Sequence, residues 1–227
     1  MKTVGIVGGF GPETTAKFYE QVFFACQKEN PLVKPHILIS SVPLPFQIES
    51  TAILKNEGVE RYIPYLTAET HRLEKAGADF IVMPCNSLHI HIDTLRASVH
   101  IPVLSIIHET AQYLNQRSIQ QVGILSTAMT AHHHLYENGL SVYDILCRTP
   151  DAAQQILLNE IVLNLVNGKN EHKDRETLLS IMHSFSDVDC ILLACTDLQL
   201  LDLSHPSLPV FDTMQILADA TVREILK

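Results

Sequence analysis

The sequence predicts an α/β protein built from two similar halves, each with a parallel sheet covered by helices. Short apolar runs rich in β-branched residues alternate with longer amphipathic stretches along the 227-residue chain. Strands that are apolar on both faces are typical of parallel sheets buried between helices. Three blocks of the first half also recur in the second half, in the same order.

The alternation of the two patterns gives the order of the elements. The strand candidates are residues 3–7, 36–42, 79–83, 102–106, 121–125, 189–194 and 208–211. The helix candidates are residues 12–29, 57–76, 87–98, 107–116, 130–139, 151–167, 173–185, 197–202 and 212–226. Each strand candidate is followed along the chain by a helix candidate, as in repeated βα units.

The internal repeat is visible in three pairs of segments. The segment "KTVGIVGGFGPETTAKFYEQ" matches "QQVGILSTAMTAHHHLYENG", and "IPVLSIIHETAQYL" matches "LPVFDTMQILADAT". The third pair, "ADFIVMPCNSLHI" and "VDCILLACTDLQL", places Cys85 on Cys195. Three matched blocks in one order indicate a duplication, although the period is too long for a solenoid repeat.

A duplication of this kind predicts two α/β domains related by a pseudo-two-fold axis. We expect the first domain over residues 1–108 and 212–227 and the second over residues 109–211. Ligands of open α/β sheets bind outside the carboxyl ends of the strands, where both Cys85 and Cys195 lie. If the halves face each other, the two thiols flank one active site in the interdomain cleft.

Composition excludes several classes of protein. The net charge is −9 and no basic cluster is visible, which argues against nucleic-acid binding. No apolar run approaches the roughly 20 residues of a membrane helix, and the N-terminus lacks a signal-peptide pattern. Five cysteines without CxxC spacing form neither a disulfide framework nor a zinc ribbon. We therefore expect a cytoplasmic protein with free thiols and no membrane partner.

A cysteine at the end of a strand has several interpretations. The commonest is a buried structural residue, and a nucleophile would need a His or Asp partner that the pattern does not position. A metal site would need further ligands, and the flanks offer only His89 and His91. The remaining interpretation is an acid–base pair, because inverting a stereocentre requires one group on each face of the carbon.

The residues after each cysteine favour the acid–base interpretation. Both cysteines precede a predicted helix start, where backbone N–H groups stabilise a thiolate and bind a carboxylate. Asn86, Ser87 and Thr196 add side-chain donors for such a carboxylate. By contrast, "GGFGPE" lacks the third glycine of a dinucleotide fingerprint, and "HHH" at 132–134 is expected on a solvated helix surface.

Taken together, the motifs resemble the aspartate/glutamate racemase superfamily, most closely its cofactor-independent aspartate racemases. The resemblance covers nearly the whole chain and rests on four segments, "KTVGIVGGFGPETTAKFY", "AGADFIVMPCNSLH", "CILLACTDL" and "LPVFDT". It implies a racemase, an isomerase that uses Cys85 and Cys195 as two opposed bases. It also implies no PLP or other cofactor, no metal, a small carboxylate or amino-acid substrate, and a homodimer.

The resemblance also implies which other residues bind the substrate. By position these are Gly9, Phe10, Asn86, Ser87, Thr127, Thr196, Asp197 and Lys169. The family usually has Met at position 10, Thr at 87 and Glu at 197, so Ser87 keeps the hydroxyl while Asp197 shortens the carboxylate. Lys169 lies near the place where some members carry a substrate-contacting lysine.

One departure concerns the side chain of the substrate. Members that act on aspartate often carry an arginine after the second strand, whereas this chain reads "LPFQIESTAIL" with no Arg or Lys from 36 to 54. Gln47, Ser50 and Thr51 are candidates for contacting a neutral side chain instead. Two alternatives stay open: a superfamily isomerase of the maleate isomerase or hydantoin racemase type, and a non-catalytic amino-acid-binding module.

Overall fold

The computed structural model describes residues 1–55, 57–169 and 171–227, and it contains two parallel sheets. The first half has three strands, five α-helices and two 3-10 helices in its described residues. These are β1 (Val4–Gly8), α1 (Pro12–Glu29), β2 (Ile37–Ser41), α2 (Phe46–Lys55), a 3-10 helix (Val59–Tyr62), α3 (Ile63–Lys75), β3 (Phe80–Val82), a 3-10 helix (Ser87–His91), α4 (Ile92–Ser98) and α5 (Ile106–Asn115).

The second half repeats the arrangement with one more strand. Its elements are β4 (Gln121–Ser126), α6 (Ala128–His132), α7 (Leu135–Ser141), β5 (Leu146–Arg148), α8 (Ala152–Val166), α9 (His172–His183), β6 (Cys190–Ala194), a 3-10 helix (Thr196–Leu201), β7 (Val210–Asp212) and α10 (Thr213–Ile225). The strand order is β2-β1-β3 in the first sheet and β5-β4-β6-β7 in the second. All paired strands are parallel, which confirms the predicted fold class.

The two sheets show the internal repeat directly. In each sheet the first strand, β1 or β4, lies in the middle and pairs with the strand that leads to a cysteine, β3 or β6. Every residue of β1 and β6 is buried, since helices cover both faces. Cys85 and Cys195 therefore follow equivalent strands and emerge at the carboxyl ends of the two sheets.

The strand predicted at 102–106 is wrong, because the segment forms only an isolated parallel bridge between Val103 and Ile81. Ile81 N–H donates to the carbonyl of Pro102, and Leu104 N–H donates to the carbonyl of Ile81. Pro102 has no N–H to extend the ladder, and α5 begins at Ile106. The matching segment of the second half has room for three paired residues and forms β7.

Two elements were not predicted from the sequence, and one predicted helix is divided into two. Helix α2 begins directly after Pro45, in a segment punctuated by prolines, and β5 is a short, largely exposed edge strand. The helix predicted at 130–139 is split into α6 and α7 because His134 has a left-handed backbone with φ of 50°. His132 and His134 are exposed, as expected, and the described residues contain no cluster of three metal-ligating side chains.

One apolar core joins the two halves. It contains Ile6 of β1, Ile124 of β4 and Leu217 of α10, all almost fully buried. Helix α10 packs against α1 and α5 of the first half and against β6 and β7 of the second, so the C-terminal helix contacts both halves. Within the described residues, no helix has the length and apolarity needed to cross a bilayer.

Candidate active site

A cavity lies at the carboxyl ends of the two sheets, and both predicted catalytic cysteines line it. The lining residues come from both halves. They are Phe10, Gly11, Glu49, Tyr62, Cys85, Asn86, Ser87, Leu88, Thr127, Ala128, Met129, Asn159, Val162, Val166, Cys195, Thr196 and Asp197.

The backbone presents the two thiols in the same way. The amides of Ser87 and Leu88 point at the sulfur of Cys85, and those of Asp197 and Leu198 point at the sulfur of Cys195. In each case the amides belong to the second and third residues after the cysteine, at the start of a 3-10 helix. These N–H groups stabilise negative charge on sulfur and lower the pKa of each thiol.

Burial nevertheless outweighs the backbone amides at Cys85. Removal from water is the largest effect, the carboxylates of Asp197 and Glu49 add to it, and the net result is a pKa of about 12. Cys85 itself is partly exposed into the cavity. The thiol is therefore protonated at neutral pH as long as the cavity holds no compensating positive charge.

Cys195 is buried and lies beside a carboxylate. Its Sγ is 3.8 Å from Oδ2 of Asp197 and donates a weak hydrogen bond to it. Burial raises the pKa of Cys195 well above the ordinary value, and the charges of Asp197 and Cys85 add to this effect. The two thiols are thus close enough for the charge of one to oppose ionisation of the other.

Asp197 is held by a contact that crosses from one half to the other. Thr14 Oγ1, on α1, donates to Asp197 Oδ1 at 2.6 Å. Burial raises the pKa of Asp197, although the bond from Thr14 acts in the opposite direction. Gly11, with φ of 79°, permits this close approach, since a Cβ atom there would lie 2.6 Å from Asp197 Oδ1.

Three hydroxyl groups form a cluster on one wall of the cavity. Ser87 Oγ is 2.8 Å from Thr127 Oγ1 and 3.0 Å from Thr130 Oγ1, and the two threonine oxygens are 3.1 Å apart. Thr127 also caps α6 by accepting from the amide of Thr130. Ser87 and Thr127 line the cavity, and rotation of their hydroxyls away from this cluster would let them donate to an anionic group bound there.

Asn86 lines the cavity, but its side chain is already engaged. Its Nδ2 donates to Thr213 Oγ1 at 3.1 Å, and its Oδ1 accepts a short hydrogen bond from the hydroxyl of Tyr136. Both partners belong to the second half of the chain, so Asn86 ties the end of β3 to α7 and α10. Asn86 nevertheless contributes to the cavity wall directly after Cys85.

His89 has a structural role in this site. Its Nε2 accepts from the amide of Ile106 at 3.1 Å, which leaves Nδ1 to donate to the carbonyl of Cys85 at 2.8 Å. Burial lowers its pKa to about 4, so the ring is neutral at physiological pH. The imidazole therefore fixes the backbone of Cys85 and has no nitrogen left for proton transfer.

Two of the residues carried over from the resemblance lie outside the lining. The amide of Gly9 donates to Thr15 Oγ1 at 3.0 Å, so this N–H already has an acceptor within the protein. Lys169 is exposed in the turn after α8 and is not among the described residues that line the cavity. The other predicted residues do line it: Phe10, Cys85, Asn86, Ser87, Thr127, Cys195, Thr196 and Asp197.

The cavity also contains residues that sequence reasoning missed. From the segment after β2 it takes Glu49 instead of Gln47, Ser50 or Thr51, and the hydroxyls of Ser50 and Thr51 bond to the carbonyl of Gln47 within α2. The available signal was that Glu49 is the one charged residue of "LPFQIESTAIL". One apolar wall of the cavity is formed by Tyr62, Val162 and Val166. The sequence did not mark these residues as part of a site, because apolar residues are equally typical of a core.

Comparison with known proteins agrees with the geometry. The Asp/Glu/Hydantoin racemase family profile matches residues 7–221. The broad-specificity amino-acid racemase RacX of Bacillus subtilis (strain 168) is 28% identical, over 98% of each chain. Among solved structures, an aspartate racemase of Picrophilus torridus has a TM-score of 0.82 and 27% identity, covering 100% of this chain and 95% of its own.

A second solved structure, an aspartate racemase homologue from Pyrococcus horikoshii OT3, has a TM-score of 0.80 and 25% identity over the full length of both chains. The glutamate racemase of Francisella tularensis, at 12% identity and a TM-score of 0.68, shares the fold. The family profile covers most of the sequence, and two α/β halves with paired strand-end cysteines accompany it. The chain therefore belongs to the Asp/Glu/hydantoin racemase family of isomerases.

Proposed function

We propose that the protein is an amino-acid racemase that uses Cys85 and Cys195 as its two acid–base groups. One observation carries the proposal: equivalent thiols from the two halves line a single cavity, each at the start of a 3-10 helix. Inversion at Cα needs a proton acceptor on one face and a donor on the other. A lone structural cysteine would not need a counterpart in the same cavity.

The proposed reaction balances in protons. A thiolate removes the Cα proton from one face, and the opposite thiol delivers its own proton to the other face. The first sulfur ends protonated and the second ends as thiolate, so the enzyme is poised for the reverse enantiomer. The C–H bond that breaks and the C–H bond that forms are at the same carbon, and nothing is oxidised or reduced.

The described residues provide positions for the common groups of an amino acid. Hydroxyls of Ser87, Thr127 and Thr196 would bind the α-carboxylate, together with the amides at the helix starts. Asp197, beside Cys195, would pair with the α-ammonium. Since the charge of Asp197 raises the pKa of both thiols, neutralising it with the substrate ammonium would favour the thiolate form when substrate is bound.

The substrate class follows from the relatives and from this cavity together. The names of the relatives cover aspartate, glutamate and a broad range of amino acids. The present cavity contains the residues that we propose for binding the amino-acid backbone, and no Arg or Lys is among its described lining residues. We therefore propose racemisation of an amino acid, with the side-chain preference treated separately below.

The test is Cα proton exchange in D2O, followed by NMR with no cofactor added, on both enantiomers of a panel of amino acids. Exchange with an inverted product is the expected result. Cys85→Ser and Cys195→Ser should each abolish racemisation, while Cys147→Ser, on the edge strand β5 away from the cavity, should retain it. Full activity in both active-site variants would rule out the two-base reaction.

The same preparations distinguish the alternatives. A superfamily isomerase that uses one cysteine as a nucleophile would leave a covalent adduct on Cys85, detectable by mass spectrometry of the trapped enzyme. A non-catalytic binding module would bind amino acids without any Cα exchange. Size-exclusion chromatography with light scattering would test the homodimer that we also propose for this cytoplasmic enzyme.

A further inference from the structure

We propose that Glu49 selects amino acids with a positively charged side chain, which makes the enzyme a racemase of diamino acids of the lysine and ornithine class. This inference rests on the proposed function and specifies its substrate. Glu49 lies on α2, the helix that follows β2 and whose N-terminal part borders the cavity. It is the residue through which this helix contributes a charge to the site.

Glu49 is a carboxylate at the cavity that has no counter-ion among the residues that the structure describes. It is half-buried, and the hydrogen bonds and ion pairs of the described residues provide no partner for its carboxylate. Burial raises its pKa, and the nearby charge of Asp197 raises it further. A bound cation would offset both effects, since its charge would compensate for the water lost on burial and for the repulsion between Glu49 and Asp197.

The position of Glu49 differs from that of Asp197. Asp197 is next to Cys195 and is therefore close to the reacting carbon. Glu49 comes from a separate helix, and its charge acts on Cys85 and on Tyr62, whose pKa is raised. We assign Asp197 to the α-ammonium and Glu49 to a second cationic group, which must then belong to the side chain.

The walls of the cavity suit the stem of such a side chain. Phe10, Tyr62, Met129, Val162 and Val166 supply apolar surface from both halves. Lysine and ornithine carry a charged end on a chain of methylene groups, and such stems pack well along apolar surface while the charged end meets an anion.

Charge complementarity points against acidic substrates. An aspartate would bring two carboxylates into a cavity that already contains Glu49 and Asp197, and like charges at close range oppose binding. A diamino acid would bring two ammonium groups and one carboxylate to the same site. The second ammonium would also offset the negative charge that disfavours ionisation of Cys85.

The experiment compares matched substrates and matched variants. Cα exchange in D2O is measured for lysine, ornithine, norleucine, glutamine, aspartate and glutamate, where norleucine has the lysine stem without its charge. Wild type, Glu49→Gln and Glu49→Arg are compared with Glu60→Gln. Glu60 is an exposed carboxylate on the neighbouring 3-10 helix and does not line the cavity. The readout is the ratio of kcat/KM values between two substrates in the same variant.

The expected ratio of lysine to norleucine is about tenfold or more in wild type, because a charge-assisted hydrogen bond is made with lysine alone. Glu49→Gln should bring the ratio close to one, Glu49→Arg should favour aspartate and glutamate, and Glu60→Gln should match wild type. A preference of wild type for aspartate over lysine would overturn the proposal, as would a lysine preference that survives in Glu49→Gln.

Calorimetric binding of lysine, norleucine and aspartate separates this inference from the racemase itself. Binding of lysine that is lost in Glu49→Gln supports the assignment of Glu49 even if no Cα exchange occurs, in which case the proposed reaction fails alone. Exchange without dependence on Glu49 leaves the racemase and removes the substrate class. If wild type neither binds nor exchanges lysine, the inference is wrong.

Discussion

The two strand ends that carry Cys85 and Cys195 share a backbone arrangement but differ in their side chains. After each cysteine, the second and third amides point at the sulfur. Next to Cys85 the side chains are neutral, with Asn86 bonded to Tyr136. Next to Cys195 lies the carboxylate of Asp197. The duplication thus kept the part that presents a thiol and changed the part that sets its charge environment.

The contacts that fix the two 3-10 helices after the cysteines also share a geometry and differ in their residues. In the first half, His89 accepts from the amide of Ile106 at the start of α5. In the second half, Gln199 occupies the equivalent place and its Nε2 contacts the Sδ of Met214, near the start of α10, at 2.7 Å. The first contact fixes a 3-10 helix against α5 and the second fixes its counterpart against α10, although neither residue type nor partner is retained. Geometry is therefore preserved where chemistry is not.

The largest expected effect comes from removing one thiol at a time. In Cys85→Ser, only the enantiomer whose Cα proton faces Cys195 should exchange in D2O, with retention of configuration. In Cys195→Ser the other enantiomer should exchange. Exchange at the face that lacks a thiol should fall by about 10²–10⁴, the usual contribution of a positioned acid or base. NMR of each enantiomer with each variant checks this result.

Two outcomes would contradict that prediction. If both variants exchange the same enantiomer, the two thiols do not lie on opposite faces of the substrate. If each variant exchanges both enantiomers equally, another group supplies the missing proton. Cys147→Ser serves as the control. Because Cys147 lies on β5, this variant should exchange both enantiomers as wild type does.

The sequence predicted the framework of this comparison because the framework depends on apolar periodicity and repetition. Strands β1, β3, β4 and β6 are apolar runs, and their repeat placed Cys85 on Cys195. Helix α2 was missed since prolines punctuate its start, which is more typical of a loop. Glu49 was missed with it, because a lone acidic residue does not reveal whether it faces solvent or a cavity. Only the packing of α2 against the second half determines that.

The pKa values of the thiols could not be predicted from the sequence, because they depend on the balance between backbone amides and burial. The amides that lower the thiol pKa values were expected from the helix starts. Burial, which outweighs them at Cys85, depends on how the two halves pack around the thiol. Lys169, which the resemblance places near the substrate, is exposed after α8, and its contact with the substrate stays a prediction.

The next effect concerns the caps of the matched helices α5 and α10. Ser105 Oγ accepts from the amide of His108, whereas the matched residue Asp212 accepts from the amide of Met214 through Oδ1. Burial raises the pKa of Asp212 to about 6. We expect Asp212→Asn to keep the cap and to raise the free energy of unfolding at neutral pH by up to about 3 kcal/mol.

The pH dependence gives the sign of this effect. The folded state holds the Asp212 proton more tightly than the unfolded state. The stability that Asp212 contributes is therefore fully present below the ordinary Asp pKa of 3.8 and is lost as the pH rises to about 6. Denaturant unfolding at pH 3 to 8 should show a smaller decline in Asp212→Asn. Asp219→Asn, an exposed change on the same helix, should follow wild type. An unchanged profile in Asp212→Asn would show that the carboxylate pays no burial penalty.

A smaller effect is expected where Asn86 is tied to the second half. Tyr136→Phe removes the hydroxyl that donates to Asn86 Oδ1 in a buried site. The oxygen loses that donor, so the free energy of unfolding should fall by about 1–3 kcal/mol. Urea unfolding measures it. Tyr19, near the matching position of the first half, is exposed, and Tyr19→Phe should stay within about 0.5 kcal/mol of wild type. Equal losses in both variants would contradict the assigned role of the Asn86 contact.

The smallest change tests whether Asp197 is the source of the electrostatic difference between the two thiols. Asp197→Asn removes a negative charge beside Cys195, so the pKa of that thiol should fall, because the carboxylate is among the groups that raise it. The pKa of Cys85 should fall too, since Asp197 also raises it. Alkylation by iodoacetamide at a series of pH values, with each cysteine peptide quantified by mass spectrometry, reports both thiols in one sample.

Asp202→Asn is the matched control, because Asp202 is exposed at the end of the same 3-10 helix. Its backbone φ of 47° is one that asparagine also adopts readily. Cys195 lies in direct contact with Asp197, so its reactivity profile should move to lower pH by more than that of Cys85. An equal shift at both cysteines would mean that Asp197 acts on the cavity as a whole. In that case the difference between the two strand ends would come from burial alone.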